Sequence, residues 1–277
     1  MTSWQTARFA IDLQQVRVMG IVNVTPDSFF DGVALQTTTE AIARCDEVVA
    51  QGGDIIDIGG ESTRPGAEMP HWREELARVL PVVRHAITLG VPVSIDTSRP
   101  EVIAEVVSAG ADIVNDVRAL TWPGALACVA RTARVGVCLM HMQGTPRTMQ
   151  QRPHYGDVCA EVHAYLATRA IATRSAGIDG ERIVLDPGYG FGKTPEHNGA
   201  LLRAQPRLLE LGYPVLAGLS RKSVLGFLTG RSAADRLAAS VSAALAAAVQ
   251  GARVLRVHDV GATVDALKVW RAAGLDS

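Results

Sequence analysis

Asn23, Asp57, Asp96, Asn115, His141, Asp186, Lys222, Arg256 and His258 each stand at or just beyond the end of a short run rich in Val, Ile and Leu. A carboxylate or amide set against such residues is partly desolvated and needs a partner. Ordinary polar loop starts do not account for so regular a placement. The residue types sort into two groups. Asp96, Asn115 and Asp186 offer acceptors, and Asn115 offers donors as well. One carboxylate matches two adjacent N–H groups of a heterocycle, such as a 2-amino-N3 edge, in bidentate geometry. Lys222, Arg64, Arg256 and His258 supply positive charge and donors, as a phosphate or diphosphate needs. An acidic pocket for a heterocycle and a basic rim for an anion are thus expected at one mouth.

The elements that must position these residues repeat. Val16 to Val22 reads as a buried strand that stops on Asn23, and a polar loop through Pro26, Phe29, Phe30, Asp31 and Gly32 follows. Ala41, Ile42, Cys45, Val48 and Val49 then recur at helical spacing, ended by Gly52 and Gly53. Seven further strands are expected over 54–58, 91–95, 112–116, 135–140, 183–186, 214–219 and 253–257. Helices separate them, one bent near Pro81 and one from about Pro195 to Leu211. Strands alternating with helices imply parallel βαβ units. Eight such units in 277 residues fit one (β/α)8 barrel, with its core over about 16–272. A doubly wound open sheet is the alternative, but no GxGxxG follows the first strand.

Composition narrows the function classes. The chain is 48% hydrophobic with a net charge of −1, so it reads as a well-buried protein with no basic excess for nucleic acid. Met1 to Gln15 lacks the basic-then-apolar layout expected of a signal peptide, and the most apolar long segment, Leu237 to Val249, is too short to span a bilayer. The four cysteines lack CxxC spacing and read as buried thiols, which fits the cytoplasm. The stretch from Gly188 to Thr194 imitates a P-loop, but Pro187 stands where its first glycine is required. Phe191 either faces a planar ligand or packs within its loop. Lys222 reads as a charged donor rather than a Schiff-base lysine, and Lys193 and His197 read as solvated groups on the next helix.

The runs Asn23-Val-Thr-Pro-Asp-Ser-Phe, Asp57-Ile-Gly-Gly-Glu-Ser-Thr-Arg-Pro-Gly, Ser94-Ile-Asp-Thr, Val114-Asn-Asp, Leu139-Met-His-Met-Gln-Gly-Thr-Pro, Asp186-Pro-Gly-Tyr-Gly-Phe-Gly-Lys, Gly218-Leu-Ser-Arg-Lys-Ser and Arg256-Val-His-Asp together carry a likeness. From about Met19 to Trp270 the sequence resembles the bacterial dihydropteroate synthases, the folate-pathway enzymes that sulfonamides inhibit. The resemblance implies a TIM-barrel transferase joining p-aminobenzoate to 6-hydroxymethyl-7,8-dihydropterin diphosphate. It implies pterin contacts at Asp96, Asn115, Asp186 and Lys222, with Met140 and Arg256 packing about the ring. It places Mg2+ at Asn23, the diphosphate at Thr63, Arg256 and His258, and p-aminobenzoate at Thr63, Arg64, Pro65, Phe191 and Ser223. Asp31 falls in the first mobile loop. Asp96, Lys222, Arg256 and Asp31 are the implied catalytic group, and a homodimer through the later helices is implied.

The sequence departs from the family pattern at Phe30, Val33 and Tyr189, none of them a matched chemical residue. Three other readings compete. A pterin-dependent methyltransferase would lack a cationic rim, which Arg64, Arg256 and His258 argue against. A Schiff-base aldolase would use Lys222. An idle paralogue acting as a scaffold would have no need of Asn23, Asp96, Asp186, Lys222 and His258 together.

Overall fold

The computed structural model describes residues 2–25, 38–62, 66–132 and 134–275. Phe30, Asp31, Val33, Thr63, Arg64 and Pro65 lie outside them.

Eight parallel strands close into a barrel: β3 (Arg17–Asn23), β4 (Ile55–Gly59), β5 (Val93–Asp96), β6 (Ile113–Asp116), β7 (Gly136–Met140), β8 (Ile183–Asp186), β9 (Val215–Ala217) and β10 (Ala252–Val257). β10 pairs back onto β3 and shuts the ring. Helices alternate with these strands: α1 (Thr38–Ala50), α2 (Trp72–Ala86), α3 (Pro100–Ser108), α4 (Ala125–Arg131), α5 (Val158–Ser175), α6 (Pro195–Ala204), α7 (Pro206–Leu209), α8 (Ser223–Thr229), α9 (Leu237–Val249) and α10 (Val260–Ala272). The helix expected from Pro195 to Leu211 is two helices. Pro206 has no N–H to continue the first, so a second begins there. Pro81, in contrast, is accommodated inside α2.

Period two along the strands creates the two sides of the barrel. Val18, Val22, Ile56, Ile58, Val93, Ile95, Val114, Val137, Leu139, Ile183 and Leu185 point outward into one buried cluster shared with the helices. Met19, Ile55, Ile113, Cys138, Val184, Leu216 and Val254 point inward and form a separate cluster. Two residues further along the same inward face the chemistry changes. Ile55 gives way to Asp57, Ile113 to Asn115, Val184 to Asp186 and Val254 to Arg256. The barrel is therefore apolar at its N-terminal end and polar toward its mouth.

The sequence reading passed over what closes the apolar end. β1 (Ser3–Gln5) and β2 (Ala10–Asp12) form an antiparallel hairpin. Its Trp4 and Ile11, with Leu13, insert into the inward cluster. Trp4 is fully buried, and its indole N–H donates to the Arg182 carbonyl at 2.9 Å. Three-residue strands are too short for a periodic pattern to reveal.

Candidate functional site

Strand register gathers the polar residues into one layer. Asn23 lies opposite Gly59, Gly59 opposite Asp96, and Asp96 opposite Asn115. Met140 lies opposite Asp186 further round. A side chain at position 59 would sit 3.4 Å from Asp96 Cβ and 3.8 Å from Asn23 Oδ1, so the glycine leaves the space between them open. Above this layer is a cavity of about 350 Å³. Asn23, Asp96, Phe191, Lys222, Ser223, Arg256 and His258 are on its wall. Asn115 and Asp186 are buried, 4% and 5% exposed, and with Met140 they do not line the cavity that the described residues form. Met140 instead packs with Val117, Met149 and Phe191 in an apolar cluster.

A buried ion cluster occupies the centre. Arg256 Nε donates to Asp57 Oδ2 at 2.6 Å, and its Nη2 donates to Asp96 Oδ2 at 2.8 Å. Asn115 Nδ2 reaches the two Asp57 oxygens at 3.4 and 3.2 Å. Asp57, fully buried, is thus the hub that joins a guanidinium to an amide. Its strand-end position marked it in the sequence, but nothing there named its partners. Burial works against the Arg256 charge; Asp57 and then Asp96 overcome that and raise its pKa. Burial raises the Asp96 pKa, with Arg256 opposing. Asp96 Oδ1 and Asp186 Oδ2 make no hydrogen bond among the described residues, which leaves two carboxylate acceptors for a ligand.

Asp186 is held by the turn that follows it. The Gly188 N–H donates to Asp186 Oδ1 at 2.7 Å. Gly188 has φ +68°, and a Cβ there would run into the His141 carbonyl oxygen, so only glycine permits this turn. Burial raises the Asp186 pKa, and Lys222 is the main opposing influence. Burial lowers the Lys222 pKa to about 8, with Asp186 opposing. The Lys222 ammonium donates to the Tyr189 carbonyl and lies 4.5 Å from the centre of the Phe191 ring. That stacking joins two residues that the sequence placed on different strand ends.

Two expectations need correction. Lys193 is not solvated: it is 3% exposed, and its ammonium donates to His141 Nδ1 and to the carbonyls of Gly188 and Phe191 at 2.9, 2.9 and 3.0 Å. His197 forms a capping box with Thr194 at the start of α6. For His258, expected to add charge to the rim, the surroundings work against that charge. Burial, then Arg256, Arg221, Arg44 and Lys222, lower its pKa well below the usual histidine value.

Three further wall residues, Glu61, Arg236 and Gln150, do not stand out in the sequence, and Arg221, which stands with Lys222 in a strand-end cluster, proves to be paired. Glu61 accepts from Arg118 at 2.6 and 3.1 Å. Arg221 is paired with Asp259 at 2.5 and 3.0 Å. Arg236 donates to the Arg221 and Lys222 carbonyls at 3.0 and 3.3 Å and so braces the Lys222 turn. Gln150 donates to the Gly190 carbonyl at 2.6 Å. Arg236 and Gln150 follow no strand, so the strand-end rule could not find them.

The barrel agrees with comparisons to known proteins. The chain matches the pterin binding enzyme family over residues 19–258. The dihydropteroate synthase of Neisseria meningitidis serogroup B is 51% identical over 99% of this chain and 98% of that protein. The dihydropteroate synthase of Xanthomonas albilineans, solved with 4-aminobenzoic acid, matches with a TM-score of 0.91 and 52% identity over 99% of both chains. That of Burkholderia cenocepacia, complexed with 7,8-dihydropteroate, matches at 0.89 and 46%, covering 99% of this chain and 96% of that one. The class is therefore a pterin-binding (β/α)8 enzyme. Within that class the chain belongs to the dihydropteroate synthase family, which makes it a transferase. Among the described residues no helix is long and apolar enough to cross a membrane.

Proposed function

We propose that the chain condenses 6-hydroxymethyl-7,8-dihydropterin diphosphate with p-aminobenzoate to give 7,8-dihydropteroate and diphosphate. The observation that carries this reading is the pair of buried carboxylates, Asp96 and Asp186, each with one oxygen unengaged, below a wall carrying Lys222, Arg236 and Arg256. Asp186 accepts two adjacent N–H groups of the pterin, Asn115 and Asp96 bind its other edge, and Met140 and Arg256 pack about the ring. Phe191 and Ser223 border p-aminobenzoate, and the family resemblance adds Thr63, Arg64 and Pro65. Asp31, outside the described residues, joins the catalytic group by the family resemblance alone.

The reaction breaks the bond from the pterin methylene carbon to the diphosphate oxygen, and that oxygen keeps the electron pair. The amine nitrogen of p-aminobenzoate then bonds to the methylene carbon and releases a proton to the departing diphosphate or to water. Asp96, held by Arg256, stabilises positive charge that develops on the pterin. His258, on the same wall, contacts a diphosphate oxygen.

Among the described residues no three His, Cys, Asp or Glu side chains cluster as a metal site. Mg2+ does not require one, since it binds through one or two protein oxygens plus water and substrate phosphates. Asn23 Oδ1, on the cavity wall beside the space that Gly59 leaves open, suits that role. Mg2+ there would neutralise charge on the leaving diphosphate.

Residues 1–277 are taken as one domain. The four free thiols fit a cytoplasmic setting. A homodimer is proposed through α8 and α9, where Phe227, Leu228 and Leu237 are 66%, 70% and 47% exposed. The deciding assay follows dihydropteroate and diphosphate together, with and without Mg2+. Equimolar, Mg2+-dependent formation of both is expected. Pterin binding without turnover would defeat the proposal, and a monomer in light scattering would defeat the dimer.

A further inference from the structure

We infer that Lys193 is a positioning residue of this site: its buried ammonium sets the Gly188–Gly192 turn, and that turn holds the Phe191 ring and the Lys222 ammonium in place. The inference rests on the reading that Phe191 borders the amine substrate.

An account of backbone acceptors supports it. Every carbonyl from Gly188 to Gly192 receives a side-chain donor. Gly188 and Phe191 accept from Lys193 Nζ at 2.9 and 3.0 Å, and Tyr189 accepts from Lys222. Gly190 accepts from Gln150 at 2.6 Å and Gly192 from the Tyr155 hydroxyl at 2.8 Å. Gly188, Gly190 and Gly192 all have positive φ and no side chains to pack, so these donors must fix the shape of the turn. Lys193 serves two of the carbonyls, one on either side of Tyr189 and Gly190. Its Nζ also lies 2.9 Å from His141 Nδ1 and 3.3 Å from the His141 carbonyl, which ties the end of β7 to the turn after β8.

An ordinary core lysine does not explain this arrangement. Lys193 forms no ion pair within 4 Å among the described residues, and burial lowers its pKa to about 7. A buried ammonium without a contacting carboxylate destabilises a fold, and a hydrocarbon of the same length would pack there without that cost. An ammonium only donates, so His141 must present its Nδ1 lone pair and carry its proton on Nε2. The low pKa of His141, about 3 through burial and then Lys193, fits that neutral form. Asp186 and Lys222 are the other charges that act on Lys193. The site thus buries an amine where stability gives no reason for one, at the point where two carbonyls of the Phe191 turn converge.

The test compares K193M, F191A and the double variant, reading KM for p-aminobenzoate, kcat and the Kd of pterin diphosphate. K193M removes two buried charge-assisted hydrogen bonds from the turn, so KM for the amine should rise about tenfold or more. Pterin diphosphate affinity should change by less than about threefold, because Asp186 keeps its Gly188 N–H. In the F191A background, K193M should add less than about twofold, as expected when one residue acts through the other. A native amine KM in a folded K193M, or effects that multiply in the double variant, would overturn the inference. If K193M does not fold, K193Q replaces it; two donors then remain for two carbonyls in a neutral group. An amine KM between the native and F191A values is expected for K193Q, and a native KM there also overturns the inference. If F191A itself leaves the amine KM unchanged, the placement of Phe191 fails, which is a separate result.

Discussion

Asp57→Asn tests the ion cluster most directly, because it removes one charge and keeps the shape. Asp57 receives Arg256 Nε at 2.6 Å and the Asn115 amide at 3.2 and 3.4 Å, and it is fully buried. Truncating one partner of a buried pair typically costs about 3–5 kcal/mol, since the other charge is left alone. Here Arg256 retains Asp96 at 2.8 Å and borders the cavity, so it is not stranded. An asparagine carbonyl can still accept from Arg256 or Asn115. The loss reduces to one charge-assisted hydrogen bond made neutral, about 1–2 kcal/mol of stability. The larger effect should fall on activity. Arg256 would answer to Asp96 alone, and the Asp57-facing amide of Asn115 would lose its orientation. A misplacement of about 1 Å costs on the order of a hundredfold. Urea unfolding and steady-state kinetics with both substrates measure the two terms. Native kcat/KM in D57N, with stability lowered by the expected amount, would refute the claim that this cluster orients the site.

Three other outcomes follow from the same structure. Asp186→Asn replaces a bidentate acceptor by one acceptor and one donor; pterin affinity should fall about a hundredfold or more in calorimetry, and an unchanged Kd would remove Asp186 from the pocket. Trp4→Ala empties the barrel base and should cost about 3–5 kcal/mol in urea unfolding, with native kcat in the folded enzyme; a cost under about 1 kcal/mol would mean the hairpin is dispensable. Glu75 is buried in α2 with one oxygen unpartnered and a pKa raised by burial to about 7. A raised folded pKa gives stability that is complete below pH 4.5 and lost as pH climbs to about 7, so Glu75→Gln should gain up to about 3 kcal/mol at pH 8 and little at pH 4. Parallel stability–pH curves for native protein and variant would contradict this.

The barrel was legible because its strands are largely buried on both faces and most carry a polar residue at or just beyond their ends, which the sequence displays as an apolar run with a polar stop. Asp96, Asn115, Asp186, Lys222 and Arg256 were found by that rule. Their pairing was not legible. Arg256 meets Asp57 across 199 residues of chain, a contact that only the closure of β10 onto β3 creates. Lys193 was misread because an exposed lysine and a buried one look alike after a glycine-rich turn. The acceptors that bury it are backbone carbonyls, which carry no sequence signature. The downward pKa shift of His258 is hidden for a related reason: it comes from burial and from the surrounding cations, neither of which a position in a motif reveals. The hairpin escaped because its strands are only three residues long.

The arrangement of charge along the barrel axis gives the proposed reaction its direction. Asp57, Asp96 and Asp186 lie on the inward floor, where Arg256 pairs with the first two and Lys222 is the main cation acting on the third. Arg221 and Arg236 stand on the wall of the cavity above, the former already balanced by Asp259. A pterin on the floor would therefore sit in negative potential, and a diphosphate directed to the mouth would sit nearer positive charge. Breaking the bond between them moves negative charge outward and leaves positive charge inward, along the field the fold already holds. Such fixed charges need no reorganisation when the bond breaks, which is why preorganised fields outweigh mobile ones. The same argument explains why Arg256 is tied to two carboxylates rather than left free. A loose guanidinium at the floor would oppose the cation that forms there, whereas a neutralised one orients Asp96 and leaves the floor negative. Reversing that balance, by Asp96→Asn, should lower kcat by a larger factor than it raises the Kd of pterin diphosphate, and equal changes in both would show that the field acts on binding alone.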